Sequence, residues 1–243
     1  MTTALDSLRE VATTNASAIQ AAASLLHPVI ASGGIIHAFG TGHSQAAAME
    51  FAGRAGGLIP TNRISLSDIV LRGQAAPSAL SDPLLERRPD VVGELLELAD
   101  VRPGDGFVII SNSGTNASIV EMARLVVERG VPLIAVTSTR HSNAVPTIHA
   151  SGQRLLDVAD VVLDNGAPLG DAMLDYGGGK LACGISSMTS AMLVQMLTAE
   201  IIARMVADGT EPPVYVSANM PDGHEHNLEI EIRYGGRLHR IAG

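Results

Sequence analysis

The sequence predicts an α/β protein built on an open, doubly wound parallel sheet flanked by helices. Three observations carry the prediction. Short apolar runs that do not alternate with polar residues recur along the chain, as strands covered on both faces require. Segments with apolar residues at helical spacing separate them. Two of the runs end in Gly- and hydroxyl-rich turns, Gly40-Thr41-Gly42-His43-Ser44 and Ser111-Asn112-Ser113-Gly114-Thr115-Asn116, where a strand hands over to a helix.

The elements follow in order. Leu5, Leu8, Val11, Ile19, Ala22, Leu26 and Val29 recur at helical spacing, which predicts a long helix over 3–32, with a break near Asn15 and an end at Gly33-Gly34. Such a helix, lying outside the sheet unit, packs on a partner subunit or on its own domain. Candidate strands are 35–39, 57–60, 106–110, 133–137 and 161–163; candidate helices are 44–55, 90–99, 117–129 and a long one over about 180–208. Two stretches interrupt the alternation. The connection 63–88 contains Pro77 and Pro83 and is too long to be an inert loop in a compact domain. The segment 165–180 holds Gly166, Pro168, Gly170 and Gly177-Gly178-Gly179. In the tail, 224–243, Leu228, Ile230, Ile232 and Tyr234 fit either a strand or paired helical positions. No repeat or low-complexity segment divides the chain, so a single domain over 1–243 is expected, with its core at 34–207 and a tail at 210–243.

Composition narrows the function. The 243 residues are 46% hydrophobic, 17% charged and only 2% aromatic, so the core is aliphatic. A formal net charge of −9 argues against nucleic acid or an anionic membrane as partner, since both demand a basic footprint. Cys183, the single cysteine, excludes an internal disulfide and a multi-cysteine zinc site; a buried, inert thiol at the start of an apolar helix is expected. No apolar stretch is expected to span a bilayer, and Asp6, Arg9 and Glu10 do not suit a signal peptide, so a cytoplasmic location is expected. No cofactor is expected.

The two turns are the chemical signal. A helix N-terminus presents unpaired N–H groups and a partial positive charge. Glycine lets the backbone come close, and Ser and Thr hydroxyls add donors. Either turn alone reads equally as a tight connection; two in one domain favour a phosphorylated ligand.

Here the chain resembles a known family. Phe39-Gly-Thr-Gly-His-Ser44, followed by Glu50, Arg54 and Ala55-Gly-Gly57, is similar to the first signature of the SIS (sugar isomerase) phosphosugar-binding domain. Ser111-Asn-Ser-Gly-Thr-Asn116 is similar to the second, and Ala135-Val-Thr-Ser138 to the family's usual fourth-strand ending. The resemblance runs from about 34 to 207 and points to the stand-alone bacterial SIS proteins, and more distantly to phosphoheptose isomerase and N-acetylmuramic acid 6-phosphate etherase. It implies a five-stranded parallel sheet, a homodimer or homotetramer with sites near subunit contacts, and a sugar phosphate held by the hydroxyl-rich turns. Carried over by position, Ser44, Ser111, Ser113 and Thr115 would contact the ligand, with backbone N–H groups around Gly42 and Asn112, and Ser138 as a further contact. Those isomerases and the etherase place a Glu ten residues after the motif serine; here that position is Arg54.

Isomerisation and β-elimination of sugar phosphates share a first step, removal of a proton beside a carbonyl, which needs a poised base. Glu50, in an otherwise apolar stretch, fits; a solvent-facing helix position is the plainer reading. Arg54, four residues on, could pair with it or bind the ligand's anionic group. His43 could serve as an acid or merely cap the helix. Asp171 and Asp175 flank the glycine-rich loop and suit sugar hydroxyls or turn-making equally. His224-Glu225-His226 could supply acid/base groups, including to a neighbouring subunit, or could form a polar turn; their spacing offers no third metal ligand. The sequence reading is a sugar-phosphate enzyme, a lyase or dehydratase acting on an amino-sugar 6-phosphate of the N-acetylglucosamine type. Aldose–ketose isomerisation and non-catalytic phosphosugar sensing stand beside it.

Overall fold

The computed structural model describes residues 2–240, so the last three residues of the expected tail lie outside the described residues. Helices α1 (Thr2–Thr14) and α2 (Ala16–Ala31) lead into β1 (Ile36–Gly40), α3 (Gln45–Phe51), β2 (Thr61–Ile64), α4 (Asp68–Leu71), α5 (Val92–Leu98), β3 (Gly106–Ile110) and α6 (Ala117–Glu128). Then come β4 (Leu133–Thr137), α7 (Thr139–Ala144), α8 (Leu155–Val158), β5 (Val161–Asp164), a hairpin of β6 (Ala172–Asp175) and β7 (Leu181–Gly184), α9 (Ser186–Ala207) and α10 (Gly223–Ile232). The main sheet has five strands, all parallel, in the order β2-β1-β3-β4-β5.

The continuous apolar runs are explained by two cores, one on each face. Ile36, Ala38, Val108, Ile110, Ile134 and Val136 point toward α2, α3 and α9, where they meet Leu26, Ala48, Leu193, Val194 and Leu197. Their alternates Phe39, Phe107, Ile109, Leu133 and Ala135 point toward α5 and α6, against Leu95, Ile119, Met122 and Val126. Each fully buried leucine or isoleucine contributes about 1.5–3 kcal/mol relative to exposure. The five-stranded, doubly wound architecture is therefore the one expected.

The leading helix keeps the expected break at Asn15, whose amide turns back to accept and donate across to Asp164. Several elements differ from the sequence expectation. The second strand is Thr61–Ile64, not 57–60. Residues 57–59 approach the sheet by pairing with the tail instead, through Ile59 N–H to Pro213 O at 2.7 Å and Tyr215 N–H to Gly57 O at 2.9 Å. The helix after the first turn ends at Phe51, short of 55. The helix expected from 180 begins at Ser186; the residues before it form the antiparallel hairpin. Cys183 lies on that hairpin, exposed and with φ of 64°, which corrects the expectation of a buried thiol. The tail resolves into helix α10.

The expectation about membrane-spanning segments also needs correction. Helix α9 is long and apolar enough, by length and composition, to cross a bilayer. In the fold it packs along α2 and α3, burying Leu193, Val194, Leu197 and Ile201.

Candidate functional site

The sheet order sets the location. Strands β1 and β3 lie side by side with Gly40 opposite Ile110, and the chain leaves β1 toward β2 and β3 toward β4. The two turns therefore emerge next to one another at the point where the strand order reverses, the crevice in which open α/β sheets bind ligands.

The first turn begins at Thr41, takes Gly42 through φ of +54°, and makes one 3-10 turn over Gly42–Ser44 closed by Ser44 N–H to Thr41 O at 3.1 Å. The second turn is tied by Gly114 N–H donating to Ser111 Oγ at 3.1 Å. Gly114 has φ of +62°, and a Cβ there would lie 3.1 Å from Thr137 Oγ1 and 3.2 Å from Leu155 Cβ, so the position demands glycine. Asn116 then opens the 12-residue helix α6, whose first N–H groups face the crevice end of the sheet. Among the described residues the hydroxyls of Ser44, Ser113 and Thr115 and the ring of His43 make no side-chain hydrogen bond, and they remain available to a ligand.

Other expected contacts also hold the scaffold together. Ser138 is fully buried, and its hydroxyl donates to Ala167 O at 2.7 Å while accepting His141 N–H at 3.0 Å, capping α7. The Asn112 side chain accepts from Asn165 Nδ2 at 3.1 Å, and its carbonyl accepts from Ser138 N–H at 3.1 Å, so the ends of β4 and β5 hold the second turn in place. Asp171 accepts from Ser186 N–H at 2.8 Å, Ile185 N–H at 3.1 Å and Ser186 Oγ at 2.7 Å. It thereby caps the start of α9 rather than facing the turns.

The acids divide clearly. Glu50, near the end of α3, is ion-paired with Arg54 and accepts from Gln195 Nε2 of α9 at 2.8 Å. Glu86 carries no signal of its own in the sequence. Its Oε2 lies 3.6 Å from where a Gly42 Cβ would stand, so this carboxylate faces the first turn, and among the described residues it has no side-chain partner. The Glu86 segment is fixed from below by Ser118, whose buried hydroxyl in the first turn of α6 donates to Glu86 O at 2.6 Å. The only pointer to Glu86 is the length of the 63–88 connection, which after β2 holds α4 and the short 3-10 turns Pro77–Ser81 and Leu85–Arg87. Ser65 and Ser67, just past β2, are hidden in the sequence because the apolar 57–60 reads as the strand. Ser65 Oγ bonds Ser67 Oγ at 2.9 Å and Gln45 Oε1 at 3.2 Å, at the head of α3.

His224, Glu225 and His226 lie on α10, over the cluster of Ile59, Tyr215 and Ile230 beside the approach to β2. The structure does not bring them to the turns of the same chain, and His226 bonds Val214 O at 3.2 Å. Among the described residues no group of three or more His, Cys, Asp or Glu side chains is placed to hold a metal.

Comparison with known proteins agrees with this geometry. Residues 1–138 match the SIS domain model. The UPF0309 protein lmo0025 of Listeria monocytogenes is 38% identical over 237 residues, covering 96% of this chain and 94% of the relative. A UPF0309 protein of Brucella anthropi is 42% identical over 204 residues, covering 83% and 81%. Among solved structures, phosphoheptose isomerase GmhA from Neisseria gonorrhoeae superposes with a TM-score of 0.59 at 20% identity, covering 83% of this chain and 94% of that one. A phosphoheptose isomerase from Francisella tularensis superposes with a TM-score of 0.56 at 17% identity, covering 82% and 93%. With the matched model spanning more than half of its length and relatives aligned nearly end to end, the chain belongs to the SIS-domain family.

Proposed function

We propose that the chain is a cytoplasmic sugar-phosphate enzyme that binds its substrate across the two turns and removes a proton beside the carbonyl of the opened sugar. The observation that carries this reading is that the Glu86 carboxylate, which has no side-chain partner among the described residues, stands 3.6 Å from where a Gly42 Cβ would lie in the first turn, while the hydroxyls of Ser44, Ser113 and Thr115 in the two turns make no side-chain hydrogen bond. The phosphate sits against those hydroxyls and the start of α6, and the carbon chain extends toward Glu86. The base is Glu86 in place of Glu50, because both Arg54 and Gln195 hold the Glu50 carboxylate. Glu86 takes the C2 proton, the electron pair moves into an enolate, and His43 donates a proton as the C3 hydroxyl leaves as water. An amino-sugar 6-phosphate of the N-acetylglucosamine type is the preferred substrate, and the enzyme is then a lyase.

Isomerisation is the second reading, favoured by the same observation, since one free carboxylate can take the proton from C2 and return it at C1. The exposed apolar side chains Leu174, Tyr176 and Leu181 of the hairpin support assembly as a homodimer or larger, through which His224, Glu225 and His226 would reach a neighbouring site.

Incubation with a panel of sugar phosphates in D2O tests the reading. Deuterium uptake at C2 reports proton abstraction, and product mass separates a dehydrated sugar from an isomer. Glu86→Gln should lower the exchange rate by about 10²–10⁴-fold while leaving phosphate affinity intact. Unchanged exchange in a folded variant removes Glu86 as base and returns attention to Glu50. No exchange by the wild-type protein with any sugar of the panel makes the chain a phosphosugar sensor.

A further inference from the structure

A basic cavity lies away from both turns. It opens at the far end of α3, outside edge strand β2, with a volume of about 310 Å3. Arg54, Arg63, Arg72 and Arg240 line it, together with His239 and Asp68. Four guanidinium groups gathered around one small space are unexpected in a chain of net charge −9. Helix α3, seven residues and so about 10 Å long, separates it from the first turn, and no residue of either turn contributes to its wall.

The partners of these groups show what the cavity lacks. Arg54 pairs with Glu50. Arg72 donates to Leu98 O and lies 3.0 Å from His239 Nε2. Arg240 donates to Tyr215 Oη at 2.6 Å, Thr61 O at 2.6 Å and Ile59 O at 2.7 Å, which spreads its charge over neutral acceptors, with Glu231 3.6 Å away. Arg63, half-buried on β2, makes no side-chain hydrogen bond or ion pair among the described residues. The one acid in the wall, Asp68, is 2% exposed; its Oδ2 accepts Ser65 N–H at 2.9 Å, and its Oδ1 is buried with no partner among the described residues. Among the described residues the cavity therefore holds a guanidinium with no hydrogen-bonded or ion-paired partner, its charge felt by Asp68 only at longer range, and a carboxyl oxygen without a donor.

We propose that this cavity is a second anion-binding site, which takes a small phosphate monoester carrying a hydroxyl. The phosphate is held by Arg63 with Arg72 and Arg54, because guanidinium forks match phosphate oxygens in geometry and charge. The ligand's hydroxyl donates to Asp68 Oδ1, filling the other deficit. The site is linked to the first turn by a short chain: Asp68 Oδ2 holds Ser65 N–H, and Ser65 Oγ reaches Gln45 at the head of α3.

The test counts ligands on the full chain. Equilibrium dialysis with radiolabelled inorganic phosphate, and separately with sorbitol 6-phosphate, which has no carbonyl to react, should give two sites per chain. Arg63→Gln should remove one of them, and Ser113→Ala should weaken the other. Sorbitol 6-phosphate should bind the edge site at least tenfold more tightly than inorganic phosphate. Arg63→Gln breaks no hydrogen bond or ion pair among the described residues and keeps much of the side chain's bulk, so it should unfold close to the wild-type temperature, and Arg63→Lys should restore part of the binding. Two sites retained in Arg63→Gln would overturn the proposal, as would a single wild-type site that is insensitive to that change. A single site lost in Arg63→Gln but untouched by Ser113→Ala would uphold the edge site and instead overturn the reading of the turns.

Discussion

Asp105→Asn should be among the most damaging single changes in the chain, although it lies at the opposite end of the sheet from the candidate site. The carboxylate is 1% exposed and accepts four donors: Ile35 N–H at 2.9 Å, Arg102 N–H at 2.8 Å, Arg237 Nη2 at 2.6 Å and the His37 ring at 3.3 Å. Burial alone would raise its pKa, but the bonds from His37, the two N–H groups and Arg237 outweigh burial and lower it from 3.8 to about 2. An amide presents N–H where at least one of these donors points, and it leaves Arg237 without its closest charge. Breaking a buried pair in this way costs about 3–5 kcal/mol. The sign with pH follows from the lowered value. The stabilisation is complete above the unfolded pKa and is lost as pH falls through the folded one, and the shift corresponds to about 2.5 kcal/mol in total, of which about 1 kcal/mol is lost by pH 3. Urea unfolding of wild type and variant at pH 7, 5 and 3 measures both quantities. The gap between them should narrow by about 1 kcal/mol toward pH 3. A gap under about 1 kcal/mol at pH 7, or one that does not change with pH, would refute the account of this network.

Two further changes separate bracing from binding. Gly114→Ala forces a side chain into a left-handed backbone position, at about 1–2 kcal/mol, against Thr137 and Leu155; both the unfolding midpoint and the thermal shift produced by sugar phosphates should fall. Asp171→Ala should cost about 0.5–2 kcal/mol as a lost helix cap while leaving ligand-induced thermal shifts unchanged; weaker ligand binding at wild-type stability would show that Asp171 touches sugar after all.

The parts of this fold that can be read from sequence are those where one physical demand dominates. The central strands β1, β3 and β4 are covered on both faces, so each reads as an apolar run, interrupted in β1 only by His37, which Asp105 holds, and the turns after two of them need glycine and hydroxyls at fixed places. Strand β2 has a mixed duty. It lies at the sheet edge, and Thr-Asn-Arg-Ile spends Asn62 on the tail and Arg63 on the cavity, so the apolar 57–59 beside it mimics a strand better than the strand does. The hairpin β6–β7 is illegible because strands of four residues joined through glycines carry almost no periodicity, and its neighbour α9 supplies a strong helical pattern that extends over it. Glu86 cannot be assigned from its own residue type. Only the fold of a long connection places it above Gly42, and that placement depends on a hydrogen bond from Ser118, 32 residues later.

Two asparagines have a common consequence for how this protein avoids sticking to itself. Asn15 donates to Asp164 O at 2.8 Å and accepts Asp164 N–H at 2.8 Å, gripping the last residue of outer strand β5. Asn62 donates to Arg237 O at 2.8 Å and accepts His239 N–H at 2.9 Å, fastening the tail along outer strand β2, where Arg240 also takes Thr61 O. Each amide imitates the two-point pairing of a peptide group. Free strand edges are templates for runaway strand addition and fibre growth. Here an incoming strand would first have to displace Asn15 at the β5 margin, or the tail held by Asn62 and Thr61 at the β2 margin. Aggregation on mild destabilisation should accordingly begin with release of the tail from β2 or of the α1–α2 junction from β5, well before the central strands part.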